Sequence, residues 1–162
     1  GILMAWQPKR SLGDLEIFSN DTLLFPGEKH FKNLRQLTFG GDNAEAYFSF
    51  DGKYLIFQKS YAKEGILCDQ MFVAKVPQSP EEPFVPKMVS TGKGRTTCGY
   101  FMKDGKHVIY ASTHLGDAAC PPVPDRARYG NKYIWPLYAS YDIFMADLNG
   151  KIVKQLTNSP YY

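Results

Sequence analysis

The chain has 162 residues, of which 44% are hydrophobic and 15% aromatic, and its formal net charge at pH 7 is +3. This size and apolar content suffice for one packed domain, and the aromatic share favours β-strands. The charges are spread along the chain with no block of one sign, so the composition gives no support for nucleic-acid binding.

Residues 1–31 carry the weakest pattern. Residues 14–18 alternate like a strand, and another strand could begin in residues 21–24 before Pro26-Gly27 interrupts it. We interpret this N-terminal segment as strands of a preceding repeat. The apolar run in its first six residues is too short for a signal peptide, and no run approaches the roughly 20 residues of a transmembrane helix.

Two copies of an Asp-Gly hairpin organise the rest of the chain. Phe50-Asp51-Gly52-Lys53 returns as Lys103-Asp104-Gly105-Lys106, with apolar and aromatic residues on both sides, and the two turn aspartates are 53 positions apart. Asp-Gly supplies the two positive-φ positions of a type I′ turn, so we predict two hairpins of this type. A period near 50 residues is typical of one four-stranded propeller blade.

The remaining strands of each repeat also have counterparts. Residues 32–38 recur as 151–157, with a fainter copy at 86–91, and residues 69–76 match 141–148. Each repeat is therefore predicted to be a four-stranded antiparallel meander with its strands in sequence order. The predicted blades lie near residues 44–91 and 97–157.

These repeats resemble the WD-like β-propeller repeats of the TolB type. The matching pieces are Phe-Ser-Phe-Asp-Gly-Lys-Tyr-Leu-Ile-Phe at 48–57, Tyr-Asp-Ile-Phe-Met-Ala-Asp-Leu-Asn-Gly at 141–150, and Gln-Leu-Thr at 36–38 and 155–157. The family usually has Ser-Pro-Asp-Gly-Lys at the hairpin, whereas this chain has Ser49-Phe50-Asp51 and Met102-Lys103-Asp104.

The resemblance covers roughly residues 32–162 and implies an all-β fold, a partial β-propeller of about two blades with flanking strands. Propellers usually close with about 4 to 8 blades, so the remaining blades would come from a longer chain or from other chains. The resemblance also implies a bacterial periplasmic or outer-membrane-associated location.

A long insertion distinguishes the second repeat, between its second and third strands at residues 112–140. In an up-and-down meander this connector leaves from the same end as residues 39–43, 59–68 and 92–96, so these segments should gather on one face, opposite the Asp-Gly turns. Long loops in compact repeats are often functional, which makes this the predicted binding face.

Arginines and aromatics of the insertion are the predicted recognition residues, because such side chains dominate interface hot spots. The alternative is that Trp135, Leu137 and Tyr138 fold back as a lid and that the arginines make structural ion pairs. With three residues from the other segments, the predicted binding set is Asp42, Glu45, Arg95, Arg126, Arg128, Tyr133, Trp135 and Tyr138.

The three cysteines, Cys68, Cys98 and Cys120, map to the same end of the predicted repeats. Three free thiols are the first interpretation, and one disulfide with a leftover thiol is the alternative in an exported protein. A zinc site with His114 is disfavoured because no C-x-x-C spacing occurs. We expect no metal and no cofactor.

No catalytic motif of the G-x-S-x-G, H-E-x-x-H or G-x-x-x-x-G-K-[ST] type occurs in the chain. We therefore expect a non-enzymatic scaffold for protein–protein interaction in the bacterial cell envelope. The alternative is the gating or substrate-selecting propeller of a larger peptidase whose catalytic domain lies outside these residues. A sugar or small-ligand site in the central channel, lined by Glu45, Tyr47 and Tyr100, is a third hypothesis.

Overall fold

The computed structural model describes residues 23–31 and 34–160, which fall into two units, one before Gly40 and one from Gly40 onward. In the first unit, the amide of Glu28 donates to the carbonyl of Phe25 and closes a turn at Pro26-Gly27. The strand predicted at 14–18 lies outside the described residues. The strand predicted at 32–38 is wrong in its described part, because residues 34–38 form no strand. There the side-chain amide of Gln36 donates to the carbonyl of Thr38, a bond between near neighbours in the sequence.

The second unit is built from eight strands and two short 3-10 helices, Ala62–Glu64 and Arg126–Tyr129. The strands pair antiparallel in sequence order as two sheets of four, which confirms the predicted all-β meanders. The first sheet contains β1 (Asp42–Phe48), β2 (Tyr54–Tyr61), β3 (Ile66–Lys75) and β4 (Lys87–Met88). The second contains β5 (Thr96–Phe101), β6 (His107–Ser112), β7 (Asp142–Asp147) and β8 (Ile152–Gln155).

The two Asp-Gly hairpins form where predicted, but the type I′ turn is wrong. Only the glycines, Gly52 and Gly105, have positive φ, at 70° and 65°, whereas a type I′ turn needs two such residues. The amide of Gly52 donates to the carbonyl of Ser49, so the turn is centred on Phe50 and Asp51. The Asp51 carboxylate accepts from the Ser49 hydroxyl and the Lys53 amide, which fixes the aspartate in a local turn of its own.

The hydrophobic core lies where the two sheets face each other. Alternation along β2 and β3 turns Ile56, Met71 and Val73 toward the second sheet, and the cluster they enter is nearly inaccessible to solvent. Its other members are Val89, Phe101, Val108, Tyr110, Phe144 and Ala146.

Side chains of the first sheet abut the backbone of β5 at Gly99. A methyl group there would collide with Met71 Cε and would lie 2.9 Å from Ile56 Cδ1, so a larger residue would displace the ends of both side chains. Two hydrogen bonds from β5 also join the sheets here. The Thr96 hydroxyl donates to the carbonyl of Asp69, and the Thr97 hydroxyl donates to the side chain of Gln58.

Tyr110 is the largest side chain buried in this core. Burial raises the pKa of its hydroxyl to about 12, because the phenolate would have to leave water. The hydroxyl has no hydrogen-bond partner among the described residues, so Tyr110 contributes as an apolar ring. Its ring centroid lies 6.4 Å from that of Phe144.

The helices of the described ranges are single 3-10 turns, and none has the length and apolarity that a membrane span requires.

Candidate functional site

The predicted connector face forms, because loops of both sheets contact one another at one end of the second unit. Gly94 lies in the connector that joins the first sheet to the second. Its amide donates to the carbonyl of Ala118 in the insertion at 2.8 Å. The Arg95 carbonyl accepts from the Thr113 amide, and the Thr113 hydroxyl accepts from the Arg95 amide. The inter-sheet connector and the base of the insertion therefore form one continuous structure.

A disulfide joins Cys68 at the start of β3 to Cys120 in the insertion. The interpretation of three free thiols is therefore wrong and the one-disulfide alternative is correct, because the meander brings the β2–β3 connector next to the insertion. Cys98 is a free and exposed cysteine on β5, with its sulfur 3.4 Å from the Thr97 hydroxyl. Within residues 23–31 and 34–160, no group of three His, Cys, Asp or Glu side chains could hold a metal ion.

A pocket of about 210 Å³ opens beside the disulfide, between the β2–β3 connector, the inter-sheet connector and the insertion. Most of its lining residues are glycine, alanine or cysteine. Pockets for drug-sized ligands usually measure about 300–1,000 Å³, so this one is small for such a molecule. It is lined by residues 65–68 and 118–120 with Gln70, Met88, Gly92 and Gly94.

Short-range bonds shape the insertion beyond the disulfide. The Asp125 carboxylate accepts from the Ala127 amide at 3.0 Å and caps the 3-10 helix Arg126–Tyr129. The Tyr138 hydroxyl donates to the carbonyl of Pro122 at 2.7 Å, so the ascending and descending limbs of the insertion are connected. Prolines at 121, 122, 124 and 136 restrict the backbone of the loop.

Three of the predicted residues come together in what we call the arginine–aromatic cluster: Arg126, Tyr133 and Trp135. The Arg126 guanidinium lies 5.0 Å from the centre of the Tyr133 ring, and that ring lies 6.1 Å from Trp135. Tyr133 and Trp135 are 70% and 66% exposed. The lid alternative is wrong for Trp135 and Leu137, because both side chains face solvent instead of covering the second sheet.

The other predicted residues have different surroundings. Arg128 places Nε 3.7 Å from the Asp125 carboxylate, and both side chains are exposed, so the pair is a surface contact of small energy. Tyr138 supports the loop through Pro122 and is half-buried. Arg95 lies in the inter-sheet connector, and its Nε is buried without a hydrogen-bond partner in the described part of the chain.

Asp42 and Glu45 lie on the first strand, where the structure adds a feature that sequence reasoning missed. Two residues of β1 between Ala44 and Tyr47 face one residue of β2, which is a β-bulge, and β5 repeats it between Thr97 and Tyr100. The first bulge residues, Glu45 and Cys98, both have φ of 53°. Left-handed backbone at a non-glycine residue costs about 1–2 kcal/mol. In the sequence, Glu45 and Cys98 are related by the same 53-residue spacing as the two turn aspartates.

Aromatic residues that follow the bulges contact each other. The Tyr47 and Tyr100 rings lie 5.3 Å apart in an edge-to-face arrangement, and Phe50 lies 6.2 Å from Tyr100. The Tyr47 hydroxyl donates to the Glu45 carboxylate at 2.7 Å, and this bond to an anion raises the pKa of Tyr47. The first strands and the turn residue Phe50 thus carry an exposed patch of one carboxylate and three aromatic rings.

His114 is the histidine of the connector face, and its environment is structural. Its Nδ1 lies 2.9 Å from the Ser112 hydroxyl, and its ring lies 4.4 Å from that of Phe144. Burial, with the nearby charge of Lys93, lowers the pKa of His114, so the neutral ring is favoured. The side chain therefore closes one end of the core.

The sequence matches no protein-family model, and a search of curated proteins finds no relative. Two exposed groups are therefore the candidate binding sites: the arginine–aromatic cluster and the patch beside the bulges, formed by Glu45, Tyr47, Phe50 and Tyr100.

Proposed function

We propose that this chain is part of a β-propeller of the TolB-like type and serves as a non-enzymatic scaffold for protein–protein interaction in the bacterial cell envelope. The observation that carries the proposal is the exposed arginine–aromatic cluster on a loop fixed by a disulfide. Trp, Tyr and Arg contribute most of the binding energy in protein interfaces, and a loop held in one conformation loses less entropy on binding.

The anchoring of the cluster supports this proposal. An exposed loop of this length usually samples many conformations, whereas here Cys120 ties the insertion to β3 and the bonds of Asp125 and Tyr138 hold it from within. Further apolar side chains of the insertion are exposed, and exposed apolar surface is typical of a partner-binding site. These are Leu115, Val123, Tyr129 and Leu137.

The disulfide also supports an envelope location. Disulfides persist in the bacterial periplasm and outside cells, whereas cytosolic thiols are kept reduced. The location itself follows from the resemblance to TolB-like repeats.

The test uses the double variant Arg126→Ala/Trp135→Ala. The immobilised chain is crosslinked to partners in envelope extracts of the native source, and captured proteins are quantified by mass spectrometry. We expect the double variant to lose the specific partner by at least about tenfold, as for hot-spot residues, while its urea midpoint stays unchanged. The matched control is Lys29→Ala/Phe31→Ala, which removes one exposed aromatic and one exposed cation outside both candidate sites.

Two outcomes would contradict the scaffold. One is unchanged capture by the double variant together with lowered stability, which would make the cluster structural. The other is equal loss of capture in the Lys29→Ala/Phe31→Ala control, which would show that the loss is not specific to the cluster.

A second candidate is a small-ligand site at the patch beside the bulges, for a hydroxyl-rich molecule such as a sugar. The specific observation is the pair of equivalent bulges, since strained backbone clusters at functional positions. Aromatic faces at Tyr47 and Tyr100 suit stacking, and the Glu45 carboxylate suits hydroxyl donors. NMR titration with a panel of oligosaccharides should shift the Tyr47 and Tyr100 signals, and Glu45→Gln should weaken the effect; no shift with any member would exclude this site.

A further inference from the structure

The pocket on the connector face gives access to the disulfide that anchors the insertion. Both cysteines of the disulfide, Cys68 and Cys120, are among its lining residues. Cys68 is only 4% exposed and Cys120 is half-buried, so little of either residue meets solvent elsewhere. The pocket therefore provides a route by which a small molecule reaches the two sulfur atoms.

The lining of the pocket determines what kind of molecule it admits. Among the described residues that form it, none has a charged side chain. Gln70 is the polar side chain of the set, and its groups are already engaged, because its nitrogen donates to the carbonyl of Gly94 and its oxygen accepts from Ser90 and Gly92. A charged molecule would lose its hydration there without compensation, so the pocket favours an uncharged one.

The volume of the pocket sets an upper limit on the size of that molecule. A water molecule occupies about 30 Å³ of the liquid, and the pocket measures about 210 Å³. The space therefore corresponds to a few heavy atoms, as in a small organic thiol.

The two sulfur atoms of the disulfide differ as targets for such a thiol. Cys120 is the more exposed of the two residues. The sulfur of Cys68 lies 2.9 Å from the carbonyl oxygen of Gly94, so a thiol at this place has a hydrogen-bond acceptor when the disulfide is open. Attack on Cys120 thus uses the accessible sulfur and releases the one that has a buried partner.

We propose that the pocket is a modification site at which a small uncharged thiol reacts with the disulfide and remains attached to Cys120. The thiolate of the entering molecule forms a new S–S bond with the sulfur of Cys120, and the bond between Cys120 and Cys68 breaks. The sulfur of Cys68 leaves with the bonding electron pair and takes up the proton that the entering thiol lost. One disulfide and one thiol enter the exchange, and one of each results.

The exchange removes the covalent tie between the insertion and β3. The bonds of Asp125 and Tyr138 within the insertion do not involve the cysteines and remain. The modification is therefore a reversible way to change how the insertion is held. It goes beyond the proposed scaffold function, and its test requires no protein partner.

The first test compares two thiols of similar size in the folded chain. In a Cys98→Ser background, which removes the remaining thiol, the oxidised chain is incubated without urea with 2-mercaptoethanol or with the anionic 2-mercaptoethanesulfonate. Free thiols are then blocked with a maleimide, and peptide mass spectrometry locates the adduct. We expect 2-mercaptoethanol on Cys120 and the maleimide on Cys68.

The rates of the two thiols test the uncharged lining. Each initial rate is divided by the rate of the same thiol with the urea-unfolded chain, which corrects for the different reactivity of the two thiolates. The corrected rate for 2-mercaptoethanol should be at least about fivefold higher than that for the sulfonate, because the sulfonate must give up its hydration.

A pair of variants tests whether the thiol passes through the pocket. Ala118→Leu/Ala119→Leu enlarges two exposed residues of the lining and should slow the reaction with 2-mercaptoethanol at least about tenfold, because access to the sulfur is reduced. The matched control, Ala127→Leu/Ala139→Leu, makes the same change at two exposed alanines of the insertion outside the pocket and should react like the parent chain. Urea midpoints of the oxidised variants show whether both are folded.

Several results would overturn the proposal. An adduct on Cys68 would reverse the roles of the two sulfur atoms, and the absence of any adduct on the folded chain would show that the pocket admits no thiol. Equal corrected rates for the two thiols, or equal rates for the two double variants, would show that the disulfide reacts only when the fold opens. If Ala118→Leu/Ala119→Leu does not fold, the comparison of the two thiols on the parent chain decides by itself.

Discussion

The first and second sheets have the same strand order, the same register and the same bonds after their fourth strands, yet one face is buried in the first sheet and open in the second. Backbone pairing is therefore decided within each repeat, whereas burial is decided by what lies next to it. The second sheet also carries the insertion, which the disulfide ties back to the first sheet. Comparison of equivalent positions in the two sheets therefore distinguishes properties that are local to a repeat from properties that depend on its neighbours.

The largest expected effect comes from the disulfide, the covalent link between the two repeats. Cys120→Ser should lower the free energy of unfolding by about 4 kcal/mol, because Cys68 and Cys120 close a loop with a sequence separation of 52. Urea unfolding with and without reductant measures the change. Cys98→Ser is the control and should leave stability unchanged. A urea midpoint of the unmodified chain that does not change with reductant would contradict a stabilising role of the disulfide.

Next in size is the difference between Met71 and Ile143, which occupy equivalent positions in the two sheets. The Val89 amide donates to the carbonyl of Met71, and the Leu156 amide donates to that of Ile143. Met71→Ala should cost about 3 kcal/mol, within the range for truncating a fully buried side chain. Ile143→Ala should cost less than about 1 kcal/mol, since the side chain is already exposed. Chemical denaturation of both variants tests the comparison, and equal costs would mean that the two faces have the same environment.

A smaller effect is expected where side chains of the first sheet abut β5. Gly99→Ala should cost about 2 kcal/mol, because the added methyl pushes Met71 and Ile56 from their positions. Ala46 is the equivalent bulge residue of the first sheet and is exposed, so Ala46→Gly should cost less than about 1 kcal/mol. Thermal unfolding of the two variants provides the measurement. An unchanged unfolding temperature for Gly99→Ala would show that the two sheets are loosely packed at this position.

The smallest expected effect is a pH dependence that distinguishes the two hairpins. The bond from His107 lowers the pKa of Asp104 from 3.8 to about 2, and the Ser49 hydroxyl lowers that of Asp51. A carboxyl group whose pKa is depressed by folding stabilises the fold above its unfolded pKa, and this contribution is lost as the pH falls through the folded value. Stability should therefore decrease between about pH 4 and pH 2.

The matched variants are Asp104→Asn and Asp51→Asn. Because the Asp104 carboxylate bonds to the His107 ring, whereas the Asp51 carboxylate bonds to the Ser49 hydroxyl, Asp104→Asn should reduce the loss of stability at acid pH more than Asp51→Asn does. Unfolding midpoints measured from pH 6 to pH 2 provide the comparison. A larger effect of Asp51→Asn would contradict the role of the histidine.

The sequence repeat predicted much of the architecture. The Asp-Gly spacing and the matched strands predicted both meanders, because alternation and turn residues act within a few positions of each other. The turn type was not predicted correctly, since Asp51 uses its carboxylate to hold a different turn. The strand predicted at residues 32–38 failed in its described part because a strand also needs a neighbour with which to pair.

The candidate site was only partly predictable. The insertion was visible as extra length, and Arg126, Tyr133 and Trp135 were among the predicted residues, but their mutual contact depends on how the loop returns on itself. The choice of Cys68 and Cys120 over Cys98 could not be made from spacing, since any two of the three could pair. The bulges were missed because Glu45 and Cys98 are not residues that favour positive φ.

The sequence by itself determined the two four-stranded repeats, because hydrophobic alternation and turn chemistry are local properties that each segment carries. Only the tertiary structure decided which face of each repeat is buried, which cysteines are joined and which aromatic residues remain in solvent. These outcomes depend on distances between segments about 50 residues apart in sequence, such as Cys68 and Cys120, and no short-range pattern encodes such distances. Met71 and Ile143 have equivalent backbone bonds, yet only Met71 has a second sheet against its side chain.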